Sequence, residues 1–249
     1  MALSVRQFPC LSDNYGFLIR DEASGLVACV DTPDAEAIER ELAAAGWTLS
    51  MVLNTHWHPD HAGGNAVLKA RTGAEVVGPQ EVERIAAPDR VVAHGDVVTL
   101  GETRLDVLDT GGHTLGHVSY FDAADQIAFV GDTLFALGCG RLFEGTARQM
   151  WDSLQRIAAL PGPTTVYCAH EYTASNARFA LSVDSSPDLK ARTEAIFEAR
   201  ARGEPTVPTT ISLELATNPF LRAPLLRPDL SDPSEAFRAV RAAKDSFVG

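Results

Sequence analysis

The chain has 249 residues, 45% of them hydrophobic and 22% charged, enough to bury a sizeable core as one large domain or as one domain with an appendage. Its formal net charge of -12 repels nucleic acid and acidic membranes unless a local basic patch overrides it, so neither is expected as a partner. No run approaches the roughly eighteen apolar residues of a membrane span, and Met1 to Cys10 lacks a basic start with a long apolar core, so no signal peptide or membrane anchor is expected and a cytoplasmic address is read from this.

In chain order, strand character appears at Tyr15 to Arg20, Leu26 to Val30, Met51 to Asn54, Glu75 to Gly78, Val97 to Leu100, Arg104 to Asp109, His117 to Phe121, Gln126 to Val130 and Thr165 to Cys168. Helices interrupt these strands. One is predicted to start at Thr32-Pro33 and to carry Ile38 and Leu42 to Gly46. Another has Thr146 and Gln149 as a capping box and carries Met150, Leu154 and Ile157 to Pro161. Past His170 no convincing strand appears, whereas helical patterns recur at Tyr172 to Ser182, Pro187 to Arg202 and Pro233 to Phe247. The pattern is mixed α/β, sheets covered by helices, with a catalytic domain expected over residues 1–171 and a helical appendage over 172–249. Cys10, Cys29, Cys139 and Cys168 are scattered without paired spacing, as reduced and partly buried thiols are.

The densest signal is Thr55-His56-Trp57-His58-Pro59-Asp60-His61, three imidazoles and a carboxylate between a short strand and a helix-forming stretch from Ala62 to Arg71. In extended backbone His56 and His58 project to the same side, so both rings can reach one cation, while Asp60 and His61 lie about a turn further on and aim elsewhere. Neutral imidazole is the commonest protein metal ligand, and mixed nitrogen and carboxylate donors suit zinc, iron or manganese better than calcium or magnesium. Four donors facing two ways imply two metals. Adjacent histidines also occur as surface residues, and an aspartate can simply cap a helix, but neither explains this density at this spacing.

The other donors stand in a common context. His113 follows the strand ending at Asp109, in Thr110-Gly111-Gly112-His113-Thr114. Asp132 follows Val130, in Gly131-Asp132-Thr133, and His170 follows Cys168, in Ala169-His170-Glu171. Ligands after strand ends at one sheet edge can converge. His94 and His117 share this context less cleanly and read as structural or exposed, and Asp31 and Asn176 stand open between supporting a ligand and a purely structural role.

The Thr-His-x-His-x-Asp-His signature, with the later Gly-His-Thr, Gly-Asp-Thr and final His, resembles the metallo-β-lactamase superfamily, which implies an αββα sandwich with metals at one sheet edge. Gly131 to Phe135, Gly138 to Thr146, Ala169 to Thr173 and Thr217 to Arg222 are similar to the glyoxalase II (hydroxyacylglutathione hydrolase) branch, and the likeness runs from about Asp13 to the C-terminus. The resemblance implies that His56, His58 and His113 bind one metal and Asp60, His61 and His170 a second, with Asp132 bridging them. Asp60 and Asp132 would thereby serve catalysis. The cofactors expected are two divalent ions, zinc first, with iron or manganese as alternatives. A bridging water between ions about 3.5–4 Å apart would be ionised and would attack a thioester carbonyl. The activity implied is hydrolysis of S-(2-hydroxyacyl)glutathione thioesters such as S-D-lactoylglutathione, as in methylglyoxal detoxification.

A glutathione thioester carries two carboxylates and one ammonium, so its site needs local positive charge in an acidic protein. The resemblance places Arg141, Phe143, Tyr172, Arg241 and Lys244 at glutathione-contacting positions, with Phe143 standing where some relatives have tyrosine. Independently, Asp232-Pro233-Ser234-Glu235 makes a helix start, which sets Arg241 and Lys244 three apart on one helix; such charges also complement a helix C-terminus. A persulfide dioxygenase would use one iron and lack the helical tail, a β-lactamase would usually be exported, and a nucleic-acid-processing member would show a basic surface. A non-catalytic scaffold would have lost donors. The chain is read as a monomer.

Overall fold

The computed structural model describes residues 3–248. The chain divides into two compact units, one made of Met1–Asp109 and Gly116–Gly131, the other of Thr110–Leu115 and Asp132–Gly249.

The first unit contains, in order, β1 (Leu3–Cys10), β2 (Asn14–Asp21), β3 (Val27–Val30), α1 (Ala35–Ala45), β4 (Leu49–Leu53), α2 (Pro59–Ala62), α3 (Asn65–Thr72), β5 (Glu75–Gly78), a 3-10 turn (Gln80–Arg84), β6 (Arg90–Val91), β7 (Val97–Leu100), β8 (Thr103–Asp109), β9 (Val118–Asp122) and β10 (Ile127–Gly131). β1 to β6 form one sheet in sequence order, antiparallel at β1/β2/β3 and parallel from β3 onward. Parallel neighbours need crossovers, and α1 and α3 supply them between β3, β4 and β5. Alternation along each strand gives the sheet two apolar faces. Leu18, Cys29, Val52 and Val76 pack with Ile38 and Leu42 of α1 and Leu68 of α3. Phe17, the neighbour of Leu18, points the other way and meets Phe129 of β10 with ring centroids 5.7 Å apart. β7 to β10 pair as an antiparallel meander. Side chains tie it to the first sheet, among them Tyr120, which donates its hydroxyl to Asn54 O at 2.8 Å, and Thr103, which donates to Asp21 Oδ1 at 2.8 Å.

The second unit contains β11 (Leu134–Phe135), β12 (Gly138–Cys139), α4 (Ala147–Ala158), β13 (Thr165–Cys168), α5 (Thr173–Val183), α6 (Pro187–Ala201), β14 (Thr209–Thr210), α7 (Ile211–Thr217), α8 (Ala223–Leu226) and α9 (Pro233–Asp245). Met150, Leu154 and Ile157 recur at helical spacing and are the buried stripe of α4, whose Trp151 also meets Phe237 of α9 at 6.1 Å. Ala177, Ala180, Leu189 and Ile196 close a second apolar cluster around Leu137.

The helix starts differ from the sequence reading in instructive ways. α1 begins at Ala35 because Asp34, one residue past Pro33, is its N-cap, accepting from Glu36 N and Ala37 N. Thr146 caps α4 through Gln149 N–H, but the Gln149 amide turns to Leu115 O instead of closing the box. Helix begins before Ala62, since Pro59, inside the polar motif after β4, starts a single helical turn with His58 as its N-cap. All four cysteines are free and buried. Among the described residues no helix is long and apolar enough to cross a membrane.

Candidate metal and substrate site

In the first unit, β3 and β4 end side by side, with Asp31 N–H donating to Leu53 O at 2.8 Å, and the chain turns at Asp31 with φ +57°. The buried carboxylate of Asp31 organises the segment beyond β4. Oδ1 accepts Thr55 N–H at 2.8 Å, and Oδ2 accepts both the Thr55 hydroxyl and the His61 Nδ1–H at 2.8 Å each. Because Thr55 gives its only hydroxyl proton to the carboxylate, its oxygen receives the Nδ1–H of His56, 3.0 Å away. The network thus assigns both rings the tautomer with a bare Nε2, the form a metal ligand needs. His58 presents Nδ1 3.0 Å from His56 Nε2.

The backbone around these rings is held as firmly. His61 O accepts from Thr32 N–H at 2.7 Å and Asn54 Nδ2 at 2.9 Å, and Asn65 bridges Thr32 and Asn54. Asn14 donates to Asp60 Oδ2 at 3.1 Å. His117 is buried and stacks on His56 at 4.8 Å, while His94 is exposed and accepts from Asp109 N–H. Gly131 has φ +48°, and a Cβ there would lie 2.6 Å from Thr55 Oγ1 and from His117 Nε2, so a side chain would displace the Thr55 relay.

In the second unit, Asp132 faces two imidazoles. Its Oδ2 lies 3.3 Å from His113 Nε2 and its Oδ1 3.3 Å from His170 Nε2, so each oxygen serves a different ring. His113 donates Nδ1–H to Arg141 O at 2.9 Å, which again bares Nε2. His170 stacks on Tyr172 at 4.6 Å with the ring planes 1° apart, and Phe135 meets both rings edge-on. Two donors on one tetrahedral ion at about 2.0–2.1 Å stand roughly 3.3 Å apart, so these spacings, bare nitrogens and a two-sided carboxylate fit divalent metal. Gly140 permits the arrangement, as a Cβ there would lie 2.0 Å from Asp132 O.

A cavity of about 490 Å³ in the same unit is lined by His113, Asp132, Phe135, Arg141, Phe143, Tyr172, Asn176, Arg241, Lys244 and Asp245, among others. Arg241 is only 5% exposed and donates to Cys139 O at 3.1 Å and, through Nε and Nη2, to Asp245 Oδ1 at 3.1 and 2.8 Å. Lys244 donates to Ser175 O at 3.1 Å. Burial, then the Arg241 and Arg141 charges, lowers the Lys244 pKa below the ordinary lysine value. The β11/β12 hairpin that carries Phe135 and Cys139 is clamped from α7. Glu214 Oε2 accepts Leu137 N–H at 2.9 Å, Asn218 donates to Phe135 O and Gly138 O, and the buried Glu214 carboxylate also pairs with Arg192.

Residues 17–170 match the metallo-beta-lactamase superfamily model and residues 171–247 the model of the hydroxyacylglutathione hydrolase C-terminus. The chain is 56% identical to a hydroxyacylglutathione hydrolase of Erythrobacter litoralis over 98% of its own length and 100% of the relative's. It belongs to the hydroxyacylglutathione hydrolase family of the metallo-beta-lactamase superfamily. A Maricaulis maris hydroxyacylglutathione hydrolase is also 56% identical, over 98% of this chain and 99% of the relative. Among solved structures, ETHE1 from Myxococcus xanthus superposes with a TM-score of 0.71 at 30% identity, covering 96% of this chain and 90% of that one. The fold is accordingly the αββα sandwich with a helical C-terminal region, and the family makes the chain a metal-dependent hydrolase with a His/Asp donor set suited to a dinuclear site.

Within the first unit the structure gathers His56, His58, Asp60 and His61 from the hydrolase signature; within the second it gathers His113, Asp132 and His170, and sets Arg141, Phe143, Tyr172, Arg241 and Lys244 around one cavity. Asn14 and Asp245 escaped sequence reasoning, and Asp31 and Asn176 had no assigned role there. Only Asp31 left a trace of its part, as an acidic residue directly after a fully buried strand, the context that also marks Asp132.

Proposed function

We propose that this protein hydrolyses S-(2-hydroxyacyl)glutathione thioesters, such as S-D-lactoylglutathione, to glutathione and a 2-hydroxy acid, the hydrolytic step of methylglyoxal detoxification. The observation that carries this is the full-length likeness to hydroxyacylglutathione hydrolases, which extends through residues 171–247, where Tyr172, Arg241 and Lys244 line the cavity. His56, His58 and His113 are assigned to one divalent ion, Asp60, His61 and His170 to a second, and Asp132 to both, with zinc the metal best suited to imidazole and carboxylate together.

When bound, such ions ionise a water at neutral pH and polarise the scissile carbonyl. The residues supply the rest. The Asp31 and Thr55 network and the Arg141 carbonyl fix three imidazoles in the tautomer whose Nε2 carries no proton, the form that binds metal. Lys244, Arg141 and the pinned guanidinium of Arg241 provide positive charge for the two carboxylates of glutathione, and Phe135, Phe143 and Tyr172 give the cavity apolar walls. The leaving thiol, of reference pKa about 8.5, departs as thiolate without a dedicated acid. Purified protein given S-D-lactoylglutathione should release glutathione and D-lactate without taking up oxygen, and should lose activity to a chelator and regain it with Zn²⁺. Negligible thioester cleavage with rapid oxygen uptake on glutathione persulfide would overturn the assignment.

A further inference from the structure

We infer that Phe247, together with Phe179, is a positioning residue for substrate binding: the two rings form an aromatic seat that aims the Lys244 ammonium into the cavity. The inference rests on the reading above, in which Lys244 meets a glutathione carboxylate, and it concerns only residues of the second unit. Lys244 Nζ lies 5.5 Å from the ring centroid of Phe179 and 5.6 Å from that of Phe247, both within reach of a cation–π contact, and the two rings meet edge to face at 5.6 Å. Ser175, one turn before Phe179 on the same face of α5, accepts from the ammonium through O at 3.1 Å and Oγ at 3.3 Å. An ammonium carries three N–H donors, and Ser175 takes at most two of them. At least one is left for the cavity, which Lys244 and Phe247 both line.

A lysine on a flexible four-carbon stem loses rotamer freedom when it grips a carboxylate, and a stem already held loses less. The surroundings of Lys244 make such a hold useful. Burial penalises its charge, Arg241 on α9, Arg141, and Arg178 on α5 repel it, and Asp245 attracts it. The negative faces of two rings favour the charged form against that repulsion. The rings themselves are placed differently. Phe179 is 1% exposed and also stacks on Phe220 at 5.8 Å, as a core residue does. Phe247 is only partly buried, two residues past the end of α9, with its N–H on Lys244 O at 3.2 Å. A ring kept for packing alone would bear on stability and leave substrate affinity and its pH dependence as they are.

Phe247→Leu keeps an apolar side chain and removes the π face. In the metal-loaded enzyme KM for S-D-lactoylglutathione should rise about twofold to fivefold with kcat unchanged. The alkaline limb of kcat/KM should begin at lower pH than in the wild type, since the ammonium loses the ring and keeps the burial. Replacing Phe247 by a ring-fluorinated phenylalanine, which weakens the π face at nearly constant shape, should move KM and the limb in the same directions, and it carries the test should Phe247→Leu not fold. In the Lys244→Ala background neither change should move KM further, because the seat then holds nothing. Lys244→Ala with an unaltered KM would overturn the substrate role of Lys244 itself. A raised KM in Lys244→Ala, with both ring variants at the wild-type KM, would overturn the seat alone. So would an equal rise in KM with and without Lys244, which would show that Phe247 acts by another route.

Discussion

In the first unit four candidate ligands arrive within one short stretch, His56 to His61, and lean on a single buried carboxylate; in the second, His113, Asp132 and His170 come from three separate turns and lean on a backbone carbonyl, a stacked tyrosine and an α7 clamp. A local cluster is fixed by its own sequence and one anchor. A dispersed set depends on everything that brings its turns together, so the second unit should be the more fragile in stability and the more tunable in substrate affinity. Variants placed in each region test that difference.

The largest effect is expected at Asp132. Its two oxygens face two different imidazoles, so Asp132→Ala should lower metal content and kcat together, by more than the roughly 10–100-fold of a lost outer partner. Metal analysis alongside turnover checks it. Unchanged activity at full metal content would mean that the second unit's carboxylate bridges nothing.

Next comes the clamp. Glu214 is fully buried, pairs with Arg192, and holds Leu137 N–H and Asn218, so Glu214→Ala removes the carboxylate set against the nearly buried Arg192 side chain together with the hairpin clamp and should cost about 3 kcal/mol of stability. Chemical denaturation measures this. An equal loss from the exposed pair Arg148–Asp152, where surface ion pairs contribute roughly 0–1 kcal/mol, would remove the contrast.

Legibility in the sequence divides along the same line. The His56 to His61 motif could be read because its donors are neighbours at ligand spacing, and the longer strands because their apolar runs end in turn residues. The β11/β12 hairpin has strands of two residues, too short for any period to show, and α7 has seven residues with little more than its Thr210 cap to announce it. β1 was hidden for another reason: its exposed and buried positions alternate irregularly. Asp31 gave no role because its partners stand 24 and 30 residues away, and the burial of Arg241 against the hairpin left no trace because its contact with Cys139 O spans 102 residues. Long-range hydrogen bonds leave no local pattern.

Smaller effects are expected in the cavity, and they fall on KM. Replacing both Arg241 and Lys244 by Ala should raise KM for a glutathione thioester on the order of tenfold or more with little change in kcat, since the lost contacts hold parts of the substrate remote from the reacting carbon. The single variants should differ. Arg241→Ala leaves Asp245 and Cys139 O without their donor and should also destabilise, whereas half-buried Lys244→Ala should not. A bound carboxylate raises the Lys244 pKa above its lowered free value, so affinity is full at low pH and fades as pH rises through that group. The alkaline limb of kcat/KM should therefore begin below the ordinary lysine range and vanish in Lys244→Ala. A limb that persists in the variant would belong to another group.

The smallest change expected is at Phe143, 62% exposed, its ring 5.1 Å from that of His113 on the cavity wall. Phe143→Tyr adds a hydroxyl where the ring borders the cavity, and one neutral hydrogen bond is worth about 0.5–1.5 kcal/mol when formed, or roughly a twofold to tenfold lower KM. Because the position is exposed, water competes for the hydroxyl and the lower end of that range is expected. Stability should stay within about 0.5 kcal/mol, as for other surface changes, and kcat should not move, since the added hydroxyl supplies no ligand or proton to the reacting centre. A simple alkyl thioester, which lacks the glutathione carboxylates and amides, supplies the control: its KM should be the same in both proteins. A KM for the glutathione thioester that does not fall in Phe143→Tyr would show that this wall contributes apolar cover alone, and that affinity is set on the Arg241 and Lys244 side of the cavity.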